Sequence, residues 1–107
     1  MDDFGPGRAV NLGGLVTYAP GAVVSRTLVD KDKGTVTLFA FDSGQGLSEH
    51  SAPYDALVVV VDGRAGVTVG GNPVEVAAGE TVLLPANVPH SLRAVERFKM
   101  LLIMIRA

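Results

Sequence analysis

Apolar and polar side chains alternate with a period of two through most of the chain, and glycine or proline interrupts the alternation every few residues. That pattern predicts short, half-buried strands; helices would repeat their apolar positions every 3.6 residues. Strands are predicted at residues 14–18, 23–29, 35–41, 46–51, 56–61, 65–69, 73–76, 81–85, 90–95 and 98–105. Asp62-Gly63 separates two valine-rich runs, and Gly70-Gly71-Asn72 separates Val67-Thr68-Val69 from Val74-Glu75-Val76. Both read as hairpin turns, because glycine and asparagine tolerate positive φ. Further turn signals at residues 19–21, 30–34, 42–44, 78–80 and 85–89 complete a dense antiparallel meander, the signature of a sandwich or a closed barrel.

Two segments break the alternation. Residues 57–61 (Leu-Val-Val-Val-Val) and 100–105 (Met-Leu-Leu-Ile-Met-Ile) are apolar at every position, as in strands buried on both faces. One face is expected to line the barrel. The other is expected to pack on a second subunit, giving a homodimer. In the competing arrangement the N-terminal segment folds back over it through Leu12, Leu15 and Val16.

Composition narrows the picture. The 107 residues suit one domain, residues 1–107, with 1–11 expected to be a flexible or subunit-crossing segment. A hydrophobic share of 48% against 19% charged residues is enough for a folded core. Nine basic and eleven acidic residues, net charge −2, are intermixed without a basic cluster, which argues against nucleic acid as a partner. No apolar run approaches the roughly 20 residues of a membrane span, and residues 1–11 lack the pattern of a secretory signal, so a cytoplasmic location is expected. Without cysteine, any chemistry must use oxygen and nitrogen groups. Gly44-Gln45-Gly46 lacks the third glycine of a dinucleotide fingerprint, and Ser48, Ser51 and Ser91 lack a nucleophile-elbow context.

Gly44, His50 and Gly63 fall at the spacings of one glycine–histidine motif, and Gly79, Pro85 and His90 at those of a second. Asn87 stands at a usual glycine of the second motif and can take the same left-handed conformation. Ala94 replaces its terminal asparagine. In this order, with a valine-rich stretch between them and an apolar last strand, the two motifs resemble those of the cupins. The resemblance implies an all-β fold, an antiparallel cupin-like β-barrel of the double-stranded β-helix, jelly-roll type. It also implies a site at one end of the barrel, where three histidines and a glutamate hold a divalent metal. Here only His50 and His90 remain, with Ala52 and Ala56 at the positions of the missing histidine and glutamate.

In the arrangement the resemblance implies, His50, Ala52 and, across the bend at Pro53, Ala56 face inward, and by strand parity Glu49 faces away. Two readings follow. In the first, the histidines line a pocket that binds a small molecule without a full metal site, imidazole being suited to orienting a carboxylate or enol. In the second, a metal-dependent enzyme of the oxygenase or isomerase kind completes a two-histidine site for Zn, Ni, Cu, Fe or Mn with water or substrate. Tyr54 and Met100 are further candidate ligand contacts, with Met104 and Phe98 on the same face as Met100. Arg26 could meet a ligand anion or reach solvent. No residue is assigned a catalytic role, and a purely structural, partner-binding role has only the doubly apolar strands in its support.

Overall fold

In the computed structural model, which describes residues 4–106, eight strands pair antiparallel throughout. They are β1 (Val23–Lys31), β2 (Gly34–Phe41), β3 (Gly46–His50), β4 (Asp55–Val69), β5 (Asn72–Ala77), β6 (Thr81–Leu84), β7 (His90–Arg93) and β8 (Phe98–Ile105). Among these residues no helix is long and apolar enough to cross a membrane. The expected all-β, cupin-like architecture is present as a curled sheet in two parts. One part runs β1-β2-β8-β4-β6 and the other β5-β4-β7-β3, so that β4 belongs to both.

The shared strand corrects one expectation. Asp62-Gly63 is not a hairpin turn, because residues 55–69 form a single strand that continues through it. Gly63 does have positive φ, at 71°, but it lies inside the strand, two residues past a β-bulge. The ladder to β8 steps from Val60↔Met100 to Asp62↔Lys99, leaving Val61 as the extra residue. The inward phase shifts with it, from Ala56, Val58 and Val60 before the bulge to Ala65 and Val67 after it. An inserted residue bends a strand and resets which side chains point inward. One strand can thereby leave β8 for β7 and still keep its apolar side in the core. The other predicted hairpin is present: Val69 pairs with Asn72 across Gly70 and Gly71, whose φ values of 56° and 83° suit a tight two-residue turn.

The inner face carries the main core, with Phe41, Val58, Val60, Val67, Leu92, Phe98 and Met100 buried. Phe41 and Phe98 stack with ring centroids 4.6 Å apart.

A second cluster lies on the outer face, where Leu15 and Val16 pack on Leu38 and Ala40, joined by Val10, Leu12, Val61 and Leu101. The predicted strand at 14–18 is instead a single 3-10 turn, Leu12–Leu15. Residues three apart share one side of such a turn, so Leu12 and Leu15 can reach the sheet together while Gly13 and Gly14 contribute no side chains to a ladder. Lys99 Nζ anchors the turn by donating to the Gly13 carbonyl at 2.7 Å. The chain's own N-terminal segment therefore covers part of the doubly apolar strands. Left exposed or half-buried is a strip in direct register, Val29–Val36–Ile103–Leu57–Leu83.

Candidate functional site

β3 and β7 bring the two histidines together. His50 and His90 are cross-strand partners, on a ladder whose register slips between Leu47 and His50. Directly opposed residues of an antiparallel pair hold their Cβ atoms about 5 Å apart, so side chains on one face must meet. The connecting loops are pinned as well. Asn87 N donates to the Ala52 carbonyl at 2.7 Å, and Gly44 N to the Ala94 carbonyl at 2.7 Å. Asn87 adopts φ 64°, the left-handed conformation expected of it.

Each imidazole points its Nδ1 at a backbone carbonyl two residues earlier, His50 at Ser48 (2.9 Å) and His90 at Val88 (3.2 Å). The two Nε2 atoms face each other at 3.2 Å, with the rings nearly edge to face. A carbonyl can only accept, so each Nδ1 must carry its ring's proton for these contacts to be hydrogen bonds. In two neutral imidazoles both Nε2 atoms are then lone pairs aimed at one another. Satisfying this arrangement requires something electron-poor at the pair: a proton, a donor group on a ligand, or a cation.

His90 is buried and His50 is exposed at the rim. Between and beneath them lies a mostly enclosed cavity of about 40 Å³. That is room for about three water molecules, since one needs roughly 10–15 Å³ of such space. His50, His90, Tyr54, Met100, Ala52 and Ala56 all line it, so the residues singled out in the sequence converge. Met104 lines it too, whereas Phe98 is buried in the core against Phe41. Arg26 lies elsewhere, on the outer face, where its Nη1 donates to the Leu15 carbonyl at 3.5 Å and its guanidinium lies over the Phe4 ring. It does not line the cavity. Leu47, Leu84, Leu92 and Leu102 complete the lining. Sequence reasoning passed over these four, although Leu92 and Leu102 share the parity of His90 and Met100.

Burial holds the His90 pKa below the usual imidazole value of 6.5, His50 beside it lowers it further, and the Val88 carbonyl opposes both. The unfolded chain therefore takes up this proton at a higher pH than the folded chain does. The contribution to stability is complete above the unfolded value, near 6.5, and is lost as the pH falls from there toward the lowered folded value. Melting temperatures measured from roughly pH 8 down to pH 5 are expected to fall through this window and to fall less in His90→Gln. Equal falls in both proteins would assign the effect to other groups.

The donor set can be tested against the metal that the cupin motifs imply. Among the described residues no group of three or more His, Asp or Glu converges, and Ala52 and Ala56 supply no donor where a histidine and a glutamate would stand. Two neutral imidazoles in an apolar cavity give a dication too few ligands and no balancing charge. These residues do not fit a four-ligand Fe, Mn, Ni or Zn centre.

The fold and its relatives agree. Over 56 residues the chain is 41% identical to an uncharacterized protein of Streptomyces coelicolor; the match spans about half of either chain, 52% of this one and 53% of the other. Among solved structures it is similar to a conserved protein of unknown function from Streptococcus pyogenes, with a TM-score of 0.92 and 35% identity over 99% of this chain and 93% of that one. It is likewise similar to a cupin 2 conserved barrel domain protein from Leptotrichia buccalis, with a TM-score of 0.86 and 46% identity over 89% of this chain and 46% of that one. The model of the cupin domain family matches residues 37–106, more than half of the sequence, and the chain belongs to that family.

Proposed function

We propose that this chain is a binding barrel that seats the acidic head group of a small molecule, a carboxylic acid, enol or phenol, on the His50–His90 pair. The observation that carries the reading is the pair's geometry, two Nε2 atoms 3.2 Å apart with each Nδ1 facing a backbone carbonyl, which favours leaving both Nε2 lone pairs free. An O–H group directed at the pair gives the lone pairs a donor in place of mutual repulsion. The cavity is small enough that it takes the head group alone, and its Leu, Met and Ala lining favours an apolar neighbour to that group. The remainder of the ligand lies toward the rim, at exposed His50 and half-buried Tyr54.

Thermal shift of untagged protein against a panel of short carboxylic, enolic and phenolic compounds tests this. A ligand at 100 times its Kd stabilises the folded state by about 2.7 kcal/mol. The expected outcome is protection that persists after chelator treatment and disappears in the His50→Ala, His90→Ala double variant. Protection that survives in the double variant, or vanishes with chelator, overturns the reading.

A further inference from the structure

The same pair of nitrogens has a second property, independent of any organic ligand. Two donors 3.2 Å apart are at the separation spanned by neighbouring ligands of one ion when each bond is about 2.0–2.1 Å. The Ser48 and Val88 carbonyls, which can only accept, favour in both rings the required tautomer, Nδ1–H with Nε2 free. Metal-binding histidines are commonly oriented by such a contact from the second ring nitrogen.

The surroundings select which ion could use this bite. Where the motif has a carboxylate this chain has Ala56, whose partner across the β4–β8 ladder is Met104, and Met104 lines the cavity with the two histidines. The donors gathered at this end of the barrel are thus two neutral imidazoles and the neutral thioethers of Met100, fully buried, and Met104, half-buried beside Ala56. The desolvation cost of an ion rises with the square of its charge, so a monocation tolerates an uncharged, apolar site far better than a dication does. Thioether and imidazole are soft or borderline donors, and softness of this kind selects copper(I). We propose that His50, His90 and Met104 form a copper(I) site, in which the loss of the acidic ligand has changed the metal preference instead of abolishing binding.

Untagged protein under anaerobic conditions, titrated against copper(I) held by a chromogenic copper(I) chelator, tests this. One copper(I) per chain is expected to be withdrawn from the chelator, and none by the His50→Ala, His90→Ala double variant. Met104→Leu conserves volume, so the barrel should be retained, as an unchanged melting temperature of the metal-free variant would verify. It is expected to weaken copper(I) by roughly tenfold or more, the cost seen even for a lost outer contact. It should also remove the sulfur contribution to the copper X-ray absorption spectrum. Failure of the wild-type protein to withdraw copper(I), zinc(II) binding at one per chain under the same competition, or an unaltered Met104→Leu variant each overturns the proposal. Acid-ligand binding is measured separately on metal-free protein, so either reading can fail while the other stands.

Discussion

Gly63→Ala is expected to destabilise the barrel by about 2–5 kcal/mol, combining a non-glycine residue in the left-handed region with overpacking. A Cβ at this position would overlap the Arg97 carbonyl oxygen and lie 3.0 Å from the Phe98 Cα, and φ is 71°. The obstructing atoms are backbone of the neighbouring strand, so relief requires β8 to move away from β4. That movement would disturb the bulge on which β4 turns from one part of the sheet to the other. Gly71→Ala is the matched control. Its φ is 83°, but a Cβ there meets nothing within 4 Å, so only the conformational penalty of about 1–2 kcal/mol applies. Urea unfolding of both variants measures the difference, and equal losses would show that the close approach of β8 costs nothing. Against a typical domain stability of roughly 5–15 kcal/mol, the Gly63 variant should lose a large share of its stability.

The second large effect lies beside the first. Phe98 is fully buried, stands opposite Gly63 on β4 and Phe41 on β2, and stacks on the Phe41 ring at an interplanar angle of 10°. Phe98→Ala removes that stack and leaves a cavity between strands joined by backbone hydrogen bonds, which limits collapse around it. The expected loss is about 3–5 kcal/mol. Phe98→Leu, which retains most of the volume, should cost clearly less. A double-mutant cycle with Phe41→Leu should give a coupling of about 0.5–1.5 kcal/mol for the aromatic pair. A Phe98→Ala loss below about 1 kcal/mol would mean that this end of the barrel repacks freely, contrary to the close packing of protein cores.

Near the candidate site, the features set by short-range chemistry could be read from the sequence. The resemblance to the cupin motif placed His50, Ala52 and Ala56 on one side, and all three line the cavity. The exchange of glycine for Asn87 was recognisable because only a few residue types accept its left-handed φ. Met104 illustrates the limit. Its inward parity was readable, but its position beside Ala56 depends on how β8 registers against β4, which is a property of the assembled sheet.

By itself the sequence determined the strand-rich class, the bounds of β8, the Gly70-Gly71 hairpin and the pair of inward histidines, all consequences of periodicity, backbone preference and motif spacing. The tertiary structure alone decided three things. Asp62-Gly63 runs on within one strand, just past the bulge at Val61, because β6 and β8 pair with the first part of β4 while β5 and β7 pair with the second, and a positive φ does not reveal which strands will compete for its neighbours. Leu15 and Val16 became core because an apolar outer face was there to receive them. The 3.2 Å between the two Nε2 atoms arose from cross-strand pairing of residues 40 positions apart. The physical reason is common to all three: φ preferences and alternation are local, whereas pairing partners and side-chain separations are set by the packing of the whole chain.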